Sequence, residues 1–305
     1  MGTVLNLNAI KALLPVRYPL LMLDRAEIVS GDEFIGVRNL TVNELFFQGH
    51  FPNHPILPGV LQLEAMKQLG TLGVADKIDP SGQNDIYLKA LEKVKFRKPN
   101  FPGDRMKIAA KLKSLENNEA VLECAVTNNS GVTCEAILTL AVREKRQPST
   151  MPELWNELDK SEKSVTDIAG VMEFMPHRYP FLFVDYIALH EGDRLVSVKN
   201  LSGGEEFFNS CPDDYKTMPE SLMCEAMAQA GCSIILSMAG NKDKLGYFMS
   251  IDRAEFFEPA FPGDQLACEV VLPPLRGRFG KSSGVMTANG RKIMEITLMF
   301  ALVDK

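Results

Sequence analysis

The sequence predicts an α+β chain in which one antiparallel, single-helix domain occurs twice, and three observations carry that expectation. The chain repeats itself: LPVRYPLLMLDR, from Leu14, returns as MPHRYPFLFVDY, from Met175, 161 residues later. Each repeat holds one long apolar segment with helical spacing, starting near Gly59 and near Glu220. The remainder alternates with period two, as in RMKIAAKLKSL and KIMEITLMFALV, punctuated by turn pairs such as Asn289-Gly290.

The repeat stays in register. VRNL at 37–40 returns as VKNL at 198–201, Phe46-Phe47 as Phe207-Phe208, and EAMKQLG from Glu64 as EAMAQAG from Glu225. After one deletion, KPNFPGD from Lys98 matches EPAFPGD from Glu258. A first domain is therefore expected over 1–145 and a second over 165–305, with a polar linker over 146–164. Within that join, Met151 to Lys160 can form a short helix carrying Trp155 back onto a domain.

Each copy opens with a short amphipathic helix. Its apolar positions are Ile10, Leu13 and Leu14 in copy one, and Ile168, Val171 and Met172, after the N-cap candidate Thr166, in copy two. A proline-rich corner ends it, because proline cannot continue a helix. Strand-like segments such as FIGVRNL and RLVSVKNL follow. In the second long helix, SLMCEAMAQAGCSIILSM, the polar residues Ser221, Glu225, Gln229, Ser233 and Ser237 recur every fourth position. They form one stripe on an otherwise apolar cylinder, as expected for a helix wrapped by its sheet. A buried Glu on such a stripe needs a partner or a proton. Glu64 and Gln68 repeat the pair in copy one, and either stripe can be satisfied by backbone or can face the sister domain.

Composition narrows the function. The chain has 305 residues, 46% hydrophobic and 24% charged, with a net charge of −6, which argues against general nucleic-acid binding. The apolar stretches carry Glu, Gln or Lys and fall short of a membrane span, and the N-terminus lacks the pattern of a signal peptide. Six cysteines (Cys124, Cys134, Cys211, Cys224, Cys232, Cys268) sit at irregular spacings without a CxxC pair, as expected of free thiols in a reducing cytoplasm. No metal site and no cofactor are expected.

Only four histidines occur, and two, His50 and His54, lie in FFQGHFPNHPILPG, the turn before the first long helix. Taken with PxRYPxLxxDR and EAMxQ, this turn resembles the 3-hydroxyacyl-acyl-carrier-protein dehydratases of fatty acid synthesis. The resemblance spans nearly all of copy one and, more loosely, copy two. It implies the hot-dog fold, an antiparallel sheet wrapped around a long helix, here doubled into an internal pseudo-dimer. It also implies an acyl carrier protein as partner, bearing a 3-hydroxyacyl chain. Further assembly of the pseudo-dimer is an analogy only.

The chemistry suits the residue types. Removing water from a 3-hydroxyacyl thioester needs a base for the C2 proton and an acid for the departing C3 hydroxyl. A neutral histidine fits the first role and a carboxyl raised by burial the second. Pro58-Gly59 opens the helix, so the Gly59 amide points outward at its positive end. In the family that amide is the oxyanion donor, and one site takes histidine and glutamate from different protomers. Copy two aligns Cys211 with His50, Glu220 with Gly59 and Glu225 with Glu64. One competent site is thus expected, from His50, Gly59 and Glu225. The mirror site, Cys211 with Glu64, is expected to be inert as a dehydratase, with Cys211 a buried structural thiol in preference to a nucleophile.

His54 is expected on a solvent-facing loop, His177 (Val16 in copy one) in a structural role with a backbone bond, and His190 in a surface turn. EKVKFRKP at 92–99 and RGRFGK at 276–281 are candidate carrier-docking patches, or ordinary solvated faces. The rival readings are a thioesterase, a coenzyme A hydratase or isomerising dehydratase on the same fold, and a non-catalytic acyl-binding scaffold.

Overall fold

The computed structural model describes residues 2–152, 165–237, 244–275 and 277–304. The helix expected around Trp155 therefore lies outside the described residues, apart from Met151 and Pro152, which are not helical. Arg276 of the second basic patch lies outside them as well.

Copy one runs β1 (Thr3–Leu5), α1 (Leu7–Leu13), β2 (Arg25–Ile28), β3 (Glu33–Asn39), α2 (Phe46–Gly49), α3 (Gly59–Ile78), β4 (Asp85–Phe96), β5 (Arg105–Glu116), β6 (Glu119–Asn128) and β7 (Gly131–Arg143). Copy two runs α4 (Ile168–Phe174), β8 (Tyr186–Glu191), β9 (Arg194–Asn200), a 3₁₀ turn (Glu206–Ser210), α5 (Glu220–Ser237), β10 (Lys244–Phe256), β11 (Gln265–Val271), β12 (Phe279–Ala288) and β13 (Arg291–Asp304). The strands pair antiparallel in the order β1-β2-β3-β5-β6-β7-β4-β10-β13-β12-β11-β9-β8. The two wrapped sheets join edge to edge where β4 meets β10, with Val94 opposite Ile251 and Ala90 opposite Glu255. Each sheet thereby covers an edge that would otherwise expose unpaired backbone groups.

Period two sorts the strand residues as expected: on β5, Met106, Ile108 and Ala110 are buried while Arg105, Lys107 and Lys111 are exposed. Asn289 and Gly290 both take positive φ (49° and 80°) in the turn between β12 and β13, the backbone a tight two-residue hairpin requires. α3 and α5 are buried on almost every face; all residues from Glu220 to Leu236 are enclosed. Such a helix has no solvent stripe because sheet covers one side and the sister helix the other.

The short opening helices depart from expectation. α4 is capped by Asp167, whose carboxylate accepts the Gly170 amide at 3.0 Å, while Thr166 makes a backbone bridge to Ile187. Thr166 is thus one residue too early to cap. Ile10, Leu14 and Val171 are buried, but Leu13, Ile168 and Met172 are exposed, so only part of each predicted apolar face packs.

Two reciprocal backbone bonds fix the copies against each other. The Arg178 amide donates to the Gly49 carbonyl at 3.0 Å, and the Arg17 amide donates to the Ser210 carbonyl at 2.8 Å. Each proline corner thereby seats on the turn that ends at His50 in copy one and Cys211 in copy two.

Candidate active site

α3 opens at Pro58, which supplies the extended residue before the helix, so the first-turn amide of Gly59 has no acceptor within the helix. A Cβ on Gly59 would lie 3.0 Å from the Phe96 ring, so the position has little room for a larger residue without a shift. Six residues upstream of Ile56, the turn places His50 so that its Nδ1 lies 2.7 Å from the Ile56 carbonyl. A carbonyl only accepts, so Nδ1 carries the hydrogen and Nε2 presents a lone pair. Burial lowers the pKa of His50 to about 4, against the smaller opposing pull of that carbonyl, and keeps the ring neutral.

Glu225 comes from α5 of the other copy. Its Oε1 accepts from Gln229 Nε2 at 2.8 Å, and Gln229 is itself clamped between the Phe183 amide (2.8 Å) and the Phe181 carbonyl (3.0 Å). Burial raises the Glu225 pKa to about 7, with the Gln229 bond pulling the other way. Half the carboxyls therefore retain a proton near neutrality.

The two groups meet across the domain boundary in a cleft of about 270 Å³. Copy one lines it with His50, Ile56, Gly59 and Phe96; copy two adds His177, Glu225, Ala228 and Phe248. A larger groove of about 840 Å³, over Tyr179 and Phe181, contains neither His50 nor Glu225.

His177 corrects the sequence reading. It is buried and makes no backbone bond: its Nδ1 has no hydrogen-bond partner, and its Nε2 stands 3.5 Å from Glu225 Oε1. Its ring centroid lies 5.4 Å from that of His50. Burial, followed by the nearness of His50 and Arg178, depresses its pKa well below the ordinary range. The signal in the sequence was its pairing with Val16, a polar-for-apolar change inside an otherwise well-matched segment. The ligand atoms of His50, His177 and Glu225 lie within 4.8 Å of one another, donor types that a divalent ion also uses; the acid–base chemistry described below uses no ion. His54 is exposed, as expected. His190 is instead a half-buried residue of β8 paired with Leu195, because the strand continues one residue past it.

The mirror position differs at each point. Cys211 Sγ lies 3.2 Å from the Thr217 carbonyl, the equivalent of Ile56, and burial raises its pKa. Glu64 accepts from Gln68 Nε2 at 2.9 Å and from Ser221 Oγ, across the domain boundary, at 2.8 Å. Gln68 in turn accepts the Met22 amide and donates to the Leu20 carbonyl. Both alternatives left open for the stripe are therefore realised: the glutamines bond backbone and the glutamates face the sister copy.

Comparisons with known proteins agree on the family. The FabA-like domain model matches twice, over residues 14–136 and 175–297. The 3-hydroxyacyl-[acyl-carrier-protein] dehydratase FabZ of Geobacillus thermodenitrificans (strain NG80-2) is 44% identical over 140 residues, which are 46% of this chain and 97% of that protein. FabZ of Halalkalibacterium halodurans is 43% identical over 136 residues, 44% of this chain and 97% of that protein. Among solved structures, the dehydratase domain from the CurJ module of curacin polyketide synthase matches with a TM-score of 0.64 at 12% identity, over 93% of this chain and 96% of that one. The dehydratase domain of RzxB from Pseudomonas fluorescens matches with a TM-score of 0.64 at 11% identity, over 92% and 98%. At such identities the structures establish the fold, a double hot-dog, spanning nearly the whole chain.

Proposed function

The chain belongs to the FabA-like family, carrying that domain twice, and acts as a 3-hydroxyacyl-acyl-carrier-protein dehydratase; we propose that it does so at one composite site per chain, built from His50 and Gly59 of copy one and Glu225 of copy two. The observation that carries this reading is the convergence of His50 and Glu225 from separate copies on one cleft. Copy one is taken as 1–145 and copy two as 165–305, joined over 146–164.

His50 Nε2, neutral and unprotonated, takes the C2 proton of the thioester. Negative charge then develops on the thioester oxygen, where the outward amide of Gly59 at the positive end of α3 offers stabilisation. Glu225 has one oxygen engaged by Gln229, so its other oxygen carries the proton that leaves with the C3 hydroxyl as water. The C2–H and C3–O bonds break, the C2=C3 bond forms, and His50 ends protonated with Glu225 ionised. A proton passed from one to the other, directly or through the released water, resets the site.

Charge supports an acyl carrier protein docking at this mouth. Arg97 and Lys98 line the cleft, whereas the equivalent positions in copy two are Phe257 and Glu258. In the second basic patch, Lys281 is paired with Asp252 at 2.6 Å and Arg278 stacks over Phe279. Arg97 is likewise paired with Glu135, and Lys98 bonds the Ser130 carbonyl, so position at the cleft and not freedom from partners makes this patch the docking candidate; activity on carrier-linked substrate should fall steeply with salt. No helix among the described residues is long and apolar enough to cross a membrane. The six free cysteines fit a reducing, cytoplasmic setting.

Hydration of crotonoyl-carrier protein, followed by loss of enoyl absorbance, tests the assignment. His50→Ala and Glu225→Gln should abolish turnover, while Glu64→Gln and Cys211→Ala should leave most of it. An inactive Glu64→Gln beside an active Glu225→Gln would reverse the pairing.

A further inference from the structure

The repeat gives the cleft a mirror position around Cys211 and Glu64, and the two positions are filled differently. In the first, the helix opening is Gly59 and the facing helix carries Ala228. In the second, the same positions are Glu220 and Lys67. These two are joined: Lys67 Nζ lies 2.6 Å from Glu220 Oε2. Arg143, from the end of β7, approaches Glu220 Oε1 at 3.4 Å and holds Asp85 at 2.7 Å, with its guanidinium 4.3 Å above the Tyr87 ring. Where β4 pairs Asp85 with Arg143, β10 pairs Leu245 with Val303. All four network charges belong to the mirror position, and the cleft has an uncharged residue at each equivalent position.

The network is enclosed: the Glu220 side chain is 6% exposed and that of Lys67 18%. Burial opposes ionisation of Glu220, but Lys67 and Arg143 together hold its carboxyl below the usual range. Two cations and two anions balance, so the plug carries no net charge. Such a network is seldom the most stable filling, since apolar side chains of equal volume would avoid the desolvation it requires. It differs from an apolar filling in how it responds to a lipid chain. Apolar side chains can repack around a guest, whereas a chain entering here would leave buried charges without partners.

We propose that the Lys67–Glu220–Arg143–Asp85 network closes the second acyl channel, so that each chain seats one acyl group, in the channel beside His50. This rests on the acyl-thioester reading above and extends it from where chemistry occurs to where substrate can bind. Loss of the histidine alone would leave a silent second binding site that still sequesters substrate; the ion pairs remove that site.

The test is binding stoichiometry of the full chain with S-decyl pantetheine, a thioether that cannot be dehydrated or hydrolysed, read by native mass spectrometry and calorimetric titration. Wild type should bind one equivalent. Transplanting the plug into the first channel, with Gly59→Glu and Ala228→Lys together, should reduce this to none. Opening the second channel, with Lys67→Ala and Glu220→Gly together, should raise it to two. Two equivalents on wild type would overturn the proposal, as would a folded transplant that still binds or a folded opened variant that binds only one. Should the opened variant fail to fold, the wild type and the transplant decide between them. No binding by wild type would instead overturn the acyl-site reading itself.

Discussion

His177 Nε2 stands 3.5 Å from Glu225 Oε1, the same oxygen that accepts the Gln229 amide. Two nitrogen groups thus converge on one carboxyl oxygen, and in the proposed mechanism the other carries the exchangeable proton. Glu64 in the mirror site has a different arrangement: Gln68 bonds one oxygen and Ser221 the other. Both oxygens of Glu64 are thus engaged as acceptors, whereas Glu225 is engaged at Oε1. The asymmetry between the copies therefore extends from the base to the hydrogen bonding of the acid.

Replacing His177 by Val, the residue at the equivalent position of copy one, should leave the cleft intact but loosen the Glu225 orientation. We expect kcat to fall on the order of tenfold, less than the 10²–10⁴ of a full acid or base, with KM little changed. Removing the unpartnered buried Nδ1 should leave the melting temperature the same or higher. Unchanged kcat would reduce the His177–Glu225 contact to packing.

The pH profile follows from the two titrating groups. His50, with a pKa of about 4, must be neutral to accept a proton; Glu225, at about 7, must be protonated to donate one. Of the groups around them, burial holds the His177 pKa well below its ordinary range and pushes the Cys224 and Cys232 thiols on α5 well above theirs, so these stay neutral across that interval. kcat/KM should rise through about pH 4, hold, and fall through about pH 7, as macroscopic values of the coupled pair. Steady-state rates across pH 4–9 check this; a profile still rising above pH 8 would remove Glu225 as the acid.

Much of this was legible in the sequence for a physical reason: the repeat supplied an internal comparison. His50 against Cys211 and Gly59 against Glu220 are differences within one chain, and the proposal of a single composite site rests on them. What stayed hidden depended on which residues meet across the boundary. His177 read as structural because nothing in MPHRYP says that this corner seats on the opposite turn. Lys67 drew no reading from the sequence, although its alignment with Ala228, alongside Glu220 with Gly59, is a reciprocal exchange that could have suggested an ion pair. Arg143 and Asp85 come together only through the register of β4 and β7, which periodicity does not fix.

The seat of that corner is steric as well as hydrogen-bonded. A Cβ placed on Gly49 would lie 2.0 Å from the Arg178 carbonyl oxygen, a backbone atom that cannot turn aside. Gly49→Ala must therefore push the corner of copy two away from the turn that carries His50. Overpacking of this kind costs typically 1–3 kcal/mol, and the displaced atoms are those that align His50 with Glu225. We expect a lower urea midpoint together with a larger loss of kcat than the stability change explains, measured at a temperature where the variant is fully folded.

Glu225 also links stability to pH, in a direction opposite to that of most carboxylates. Its folded pKa, raised from 4.5 to about 7, means that the native state holds a proton which the unfolded chain has released. Stability from this group is complete below the unfolded value and is lost as pH rises through the folded one. Glu225→Gln keeps the shape and removes the ionisation, so its stability relative to wild type should improve between pH 4.5 and pH 8. The full shift corresponds to about 3 kcal/mol as an upper figure. Urea unfolding of both proteins at the two pH values isolates this contribution, because the histidines titrate in each. A difference that does not change with pH would mean that Glu225 ionises in the folded protein as readily as in water, and with it the proton donor for the leaving hydroxyl would be lost.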